Sequence, residues 1–354
     1  MLLVKLIEPP CTERYARWCE RSEFLKRNSS YSINRQGLSV AGKSLIAPIF
    51  FMSSVNKVGL YFDLIPDTVY NGKKSIGNGG NDKMRLGLNA VPAHRTPEEW
   101  ADILAAKGYR AASFPVNYKA SVSVIDAYVK AAHERDIMIA EVGVWNSPHH
   151  TAPEEARLAR EACLEQFRLA DYVRAECCVN VSGAAGTVWY GCYGDNYSPK
   201  LYEENVEFIR SLCDTVKPEY TCYALEPMQW MLPDSPEQYL QFVKDVDRES
   251  FAVHMDMVNF IKDPWNYTHQ EELADRTFSL LGSRIRSCHL KDCLMESGTT
   301  VAIHEVPAGE GCVDLGMYLR HIADLDRDLP VLLEHLPDME TYDRALAHVK
   351  GLKY

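Results

Sequence analysis

From residue 84 onward, short apolar runs alternate with longer stretches whose apolar positions recur at helical spacing. The runs are MRLGLNAV (84–91), RAASFPV (110–116), IMIAEVGVW (137–145), AECCVNVSG (175–183), YTCYALEPM (220–228), SFAVHMDMV (250–258), IRSCHLKD (285–292) and PVLLEHL (330–336). Each is short, apolar and bounded by turn-formers or by a polar helical segment, which predicts a buried strand. Between them, TPEEWADILAAKG opens with an N-cap Thr96 and Pro97 and stops at Gly108. APEEARLAREACLEQFRLAD places carboxylates in its first turn, where the helix dipole favours them, and SPEQYLQFVKDVD repeats the Ser-Pro-Glu opening at 235–237. DLGMYLRHIADL and DMETYDRALAHVKGL complete the helical series. Eight strand–helix alternations predict a parallel sheet closed into a (β/α)8 TIM barrel over residues 84–354. An open doubly wound sheet shares the alternation, but no glycine-rich dinucleotide fingerprint follows the first strand.

Residues 1–83 break the rhythm. They mix apolar runs such as SLIAPIFFMSSV with the turn-rich NGKKSIGNGGNDK. This N-terminal extension is expected to pack on the barrel or on a partner subunit, as a lid or an oligomer arm.

The polar residues that end the strands change the picture, because barrels of this kind carry their chemistry at the C-terminal ends of the strands. Glu226, Asp256, His289 and Glu334 close four consecutive runs, the fifth to the eighth. Asp256 sits in the nearly all-apolar stretch FAVHMDMVNF, where a buried carboxylate is costly unless it is paired or bound to a cation. Three carboxylates brought together repel one another unless a cation joins them. A divalent metal is therefore expected on Glu226, Asp256, His289 and Glu334, with Mn²⁺ leading, Mg²⁺ and Co²⁺ close behind, and Zn²⁺ less suited to the oxygen-rich set. His254, two residues before Asp256 on the same strand face, is expected deeper in the barrel in a supporting role. Lys291 and Asp292 are expected beside the ligands or in a surface ion pair.

Net charge and cysteines narrow the classes. The chain of 354 residues carries a formal charge of −11, which argues against binding to a phosphate backbone. Its 11 cysteines include no CxxC pair, so reduced, buried thiols in a cytoplasmic protein are expected. The opening MLLVKLIEPPCTERYARWCE lacks a secretory apolar segment, and no run has the ~18 apolar residues of a membrane span.

In this order, the stretches ALEP (224–227), HMD (254–256), CHLKD (288–292), PAGEGCVD (307–314) and LLEH (332–335) resemble the xylose isomerase-like barrels, which include sugar isomerases, ketose 3-epimerases and AP endonuclease relatives. The resemblance maps Glu226, Asp256, His289 and Glu334 onto that family's four metal ligands. It implies an enediolate chemistry on a keto-sugar, with Glu226 and Glu334 as the proton-transfer pair. Gly309 and Gly311 match the loop before the seventh helix, with Asp314 as its cap. Two features depart from the epimerases: Asn259 stands where they carry a histidine, and Lys291 follows the metal-binding histidine where an arginine is expected further on.

Within the family, ECCVNVSG, LEPMQWMLPDSP, VHMDMVNFI and SCHLKD resemble the larger subunits of C-glycoside deglycosidases. That resemblance implies a lyase cleaving the C–C bond between a 3-keto-sugar and an aromatic aglycone, working with a small β-sandwich partner in a hetero-oligomer. His149 or His150, after the third strand, would then handle the aglycone proton. Asn259 and Lys291 would contact the sugar, and Trp145, Trp189 and Trp230, with Tyr190, would stack on substrate. The alternatives are a ketose isomerase or 3-epimerase and a non-catalytic sugar-binding subunit. Hydrolysis of damaged DNA is disfavoured by the acidic charge.

Overall fold

The computed structural model describes residues 84–354; the expected lid or arm at 1–83 lies outside the described residues. The eight barrel strands are β1 (Arg85–Leu88), β2 (Ala111–Ser113), β3 (Met138–Gly143), β4 (Cys177–Asn180), β5 (Tyr223–Leu225), β6 (Phe251–Asp256), β7 (Ile285–Leu290) and β10 (Pro330–Leu333). They close in the order β1-β10-β7-β6-β5-β4-β3-β2, every pairing parallel. Each run of the sequence pattern contains one strand, so the closed barrel is the fold.

The helices between them are α1 (Pro97–Lys107), α2 (Val122–Glu134), α3 (Pro153–Tyr172), α4 (Pro199–Val216), α5 (Pro236–Val246), the short α6 (Pro264–Thr268), α7 (Gln270–Leu281), α8 (Leu315–Leu325) and α9 (Met339–Gly351). Their starts follow the caps in the sequence. Thr96 accepts from the Glu99 amide, Ser235 from Gln238 and Asp314 from Met317, and Gly108 ends α1 at φ 83°. No helix among the described residues is long and apolar enough to cross a membrane. The nine described cysteines are all free.

Strand parity decides which side chains enter the barrel. Val331 and Leu333, Val253 and Met255, and Cys288 and Leu290 belong to the main core cluster, which the helices cover. Leu332 packs instead with Ala111 and Ala140, and Ala224 with Cys177 and Val179, in two small clusters filling the interior. Because strand side chains alternate, Glu334 shares the inward face with Leu332 and Glu226 shares it with Ala224. Asp256 and His289 point inward for the same reason.

One element departs from the expected alternation. Directly after β7, an antiparallel hairpin of β8 (Asp292–Glu296) and β9 (Ala302–Val306) stands outside the barrel ladder. The loop from β9 into α8 is fastened by Asp292. Its two carboxylate oxygens accept from the amides of Cys293 (2.8 Å), Val313 (2.9 Å), Gly311 (3.0 Å) and Gly309 (3.1 Å). Asp292 thus neither pairs on the surface nor joins the cluster below; it is a staple for the loop.

That staple explains both glycines. Gly309 has φ +93°, and a Cβ on Gly311 would lie 2.3 Å from Asp292 Oδ1. Gly311→Ala must push the carboxylate off its amides, so we expect a loss of about 1–3 kcal/mol, measured by urea unfolding.

Candidate metal centre

Glu226, Asp256, His289 and Glu334 meet at the C-terminal end of the barrel: one ligand atom from each lies within 4.8 Å of every other. All four are buried, at 4%, 0%, 1% and 1% exposure. Glu226 and Glu334 each lie one residue past the end of a strand, and Asp256 and His289 are register partners across β6 and β7. His289 Nδ1 is 2.8 Å from Glu334 Oε2 and 3.5 Å from Glu226 Oε1. Asp256 Oδ1 accepts from the amides of Val258 (2.9 Å) and Asn259 (3.3 Å), which fixes the carboxylate.

Lys291, only 4% exposed, reaches into the group. Its Nζ is 2.7 Å from Asp256 Oδ2, 2.8 Å from Glu334 Oε1 and 3.4 Å from Glu305 Oε2 on the hairpin. Asn259 Nδ2 donates to Glu226 Oε1 at 2.9 Å. His335, just after Glu334, has φ 53° and contacts both Glu305 and Glu334. Trp145, also at positive φ (52°), lies nearly parallel to the His289 ring, with centroids 6.3 Å apart. Such strained residues gather where the surroundings over-determine them, often at functional sites.

Beneath His289 lies a residue that strand alternation conceals. Glu141 is completely buried. Its Oε2 is 3.2 Å from His289 Nε2, and its Oε1 accepts from Asn89 Nδ2 (2.8 Å) and from the Ser113 hydroxyl. Ala140 already faces the interior, so alternation would send Glu141 outward. The register slips between Ala112 and Ser113, where two steps on β3 oppose one on β2, and this bulge turns Glu141 inward as well. His254 lies alongside, its Nδ1 3.7 Å from Glu141 Oε2 and its ring 4.1 Å from that of His289. A lone glutamate in IMIAEVGVW was the available signal: a charge in a strand apolar on both faces needs a partner.

Electrostatics follow from this crowding. Burial works against the charge on His289, yet Glu334, Glu141 and Glu226 outweigh it and hold the imidazole protonated well above its ordinary range. Burial opposes ionisation of Glu334 too, but His289 and Lys291 keep it well below the usual carboxylate range. Glu141 is lowered to about 2 against its own burial, chiefly by His289. Burial, reinforced by Glu334 and Glu226, pushes Asp256 well up despite Lys291. Burial and the neighbouring His289 lower His254 to about 4, so it stays neutral. The positive charges of His289 and Lys291 thus offset those of Glu226 and Glu334, and Asp256 is the carboxylate whose charge is least compensated.

The donor set fits a divalent cation. Asp256 Oδ2, Glu334 Oε1 and His289 Nδ1 are buried and make ion-pair contacts without one aligned hydrogen bond. Oxygen ligands with a single nitrogen suit Mn²⁺ or Mg²⁺. Ligation requires neutral His289, so a cation replaces its proton as counter-charge.

The remaining expected residues are placed elsewhere. His149 is buried against α4, with Nε2 3.0 Å from Asn205 Oδ1, and His150 Nε2 is 3.0 Å from the Thr187 carbonyl. Their hydrogen bonds do not bring either histidine to the cluster. Trp189 and Trp230 are half-buried and pack with Trp145 and Met228 around Val181, Ala184 and Met231. Trp230 Nε1 donates to the Tyr190 carbonyl at 2.7 Å. This aromatic wall reaches the cluster through Trp145.

Solved structures show the same fold. A xylose isomerase-like TIM barrel protein from Mycobacterium smegmatis, in complex with magnesium, has TM-score 0.56 and 15% identity over 75% of this chain and 95% of its own. The 3-keto-D-glucoside 4-epimerase from E. coli has TM-score 0.56 and 12% identity, covering 76% of this chain and 99% of its own. The D-psicose 3-epimerase from Clostridium cellulolyticum H10, with D-tagatose, has TM-score 0.56 and 14% identity over 75% and 97%. No curated protein matches the chain. The sequence profile described as "Xylose isomerase-like TIM barrel" matches residues 101–352. With that match spanning most of the barrel whose strand ends assemble the buried carboxylate–imidazole cluster, the chain belongs to the xylose isomerase-like TIM barrel family.

Proposed function

We propose that the protein is a divalent-metal-dependent enzyme that moves a proton at a carbon beside the carbonyl of a keto-sugar, as an isomerase or epimerase. The observation that carries this reading is the convergence of three carboxylates and one imidazole, three of whose buried atoms lack an aligned hydrogen bond. A bound Mn²⁺ supplies Lewis acidity toward a carbonyl and its neighbouring hydroxyl. Glu226 and Glu334 are the proton-transfer pair. Asn259 holds Glu226 by one oxygen and cannot itself transfer a proton near neutral pH. Lys291 and His289 keep Glu334 ionised, the form from which a proton acceptor must start, while lowering its basicity. Trp145 walls the site beside His289 and excludes water, and Trp189 and Trp230 extend a surface on which a sugar ring stacks. The named substrates of the epimerase neighbours, D-psicose, D-tagatose and a 3-keto-D-glucoside, support this class.

Asn259 favours a second reading, C–C cleavage of a 3-keto C-glycoside, because an amide stands where epimerases carry an ionisable group. The fastening of His149 and His150 to α4 and the 184–189 loop weighs against the role that reading gives them.

Incubation of Mn²⁺-loaded protein in D2O with D-fructose, D-tagatose, a 3-keto-glucoside and a 3-keto C-glycoside separates the readings. NMR is expected to show deuterium entering beside the carbonyl and a new epimer. Release of free aglycone instead assigns the cleavage reaction. No exchange with any keto-sugar would end both.

A further inference from the structure

We propose that Lys291 is a built-in counter-cation, whose ammonium holds Asp256 and Glu334 together in the metal-free protein and competes with a divalent ion for those carboxylates. This rests on the reading of the cluster as a metal site. Lys291 lies two residues after His289 and so shares its inward face, and its side chain is 3% exposed. Among the four clustered residues, the ammonium contacts only Asp256 Oδ2 (2.7 Å) and Glu334 Oε1 (2.8 Å). Those are the two carboxylate oxygens of the cluster that are buried without an aligned hydrogen bond. Any cation held by these carboxylates therefore shares its oxygens with a fixed positive charge. Like charges a few ångströms apart repel strongly in a site that excludes water.

The same geometry shows where the lysine is received. Glu305 on β9, outside the cluster, lies 3.4 Å from Nζ and gives the ammonium a third carboxylate. The hairpin thus provides an alternative anchor, so an incoming cation need not leave a buried ammonium unpaired, which is a costly state. Lys291 trades affinity for integrity: the metal-free site stays closed, and only ions with strong oxygen affinity displace the ammonium.

The test is Mn²⁺ titration of EDTA-stripped full-length protein, together with its melting temperature. Lys291→Met is expected to bind Mn²⁺ at least tenfold more tightly than wild type. When stripped it should melt lower, and Mn²⁺ should restore it to wild-type stability or above. Glu305→Gln, on an exposed hairpin whose loss of charge leaves the barrel intact, is expected to weaken Mn²⁺ binding at least twofold with Lys291 present. If Lys291→Met binds Mn²⁺ no more tightly than wild type, or Glu305→Gln leaves binding unchanged, the lysine is only a positioning group and the proposal falls. Asp256→Asn separates this from failure of the metal reading. Mn²⁺ binding by wild type that is lost in Asp256→Asn keeps the site and confines the failure to Lys291. Absence of Mn²⁺, Mg²⁺, Co²⁺ and Zn²⁺ binding in every form overturns both.

Discussion

Asp256→Asn protein is expected to purify folded, yet to bind Mn²⁺ more than about 100-fold more weakly than wild type. Loss of an outer hydrogen-bonding partner costs a metal site roughly 10–100-fold, and removal of a ligand's charge costs more. The substitution is nearly isosteric. Its amide oxygen still accepts from the Val258 and Asn259 amides that hold the native carboxylate. Lys291 retains Glu334 and Glu305 as partners, so the melting temperature of the metal-free variant should shift by only a few degrees. Calorimetric titration with Mn²⁺ and metal analysis of the purified variant give the measurement. Wild-type metal content in Asp256→Asn would remove Asp256 from the ligand set.

The second large effect is expected at Glu141, which lies outside the set Glu226, Asp256, His289 and Glu334 but groups with His254 and His289 beneath it. Its carboxylate holds His289 by the ring nitrogen opposite the one facing Glu334 and Glu226. A carboxylate in that position fixes the ring's orientation and raises its basicity toward a metal. Glu141→Gln preserves shape and removes charge, and should weaken Mn²⁺ binding roughly 10–100-fold. Glu141→Ala also leaves His289, Asn89 and Ser113 without their shared acceptor. Breaking a buried ion pair in this way costs about 3–5 kcal/mol, so the alanine variant should unfold at clearly lower urea concentration. Equal Mn²⁺ affinity in wild type and Glu141→Gln would reduce Glu141 to a packing residue.

The contrast between these two positions shows what the linear pattern reveals. Asp256, Glu226, His289 and Glu334 are legible because each ends an apolar run, and two-residue alternation then points all four inward. Glu141 lies in an equally apolar run, but a single bulge reverses the parity on which that inference depends, and bulges leave no reliable mark in one sequence. The hairpin at 292–306 was hidden for another reason. Its AIHEV segment is short, lacks two-residue alternation and is nowhere fully buried, and the barrel rhythm passes from IRSCHLKD to the next helix without it. His149 and His150 are correctly placed after the third strand, but loop position does not give side-chain direction, and Asn205 on α4 decides it. Asp292 shows the same limit, since three of its four amide donors come from a loop some twenty residues away, folded back onto it.

The hairpin leaves and rejoins the chain without taking part in barrel closure, so its length is free to vary while the eight-stranded ring keeps its shear. Because β9 carries Glu305 to the rim, an insertion at the exposed Ser297–Val301 tip would act as a lever on the entrance. A fluorophore attached there would report events at the mouth from a position outside the buried machinery.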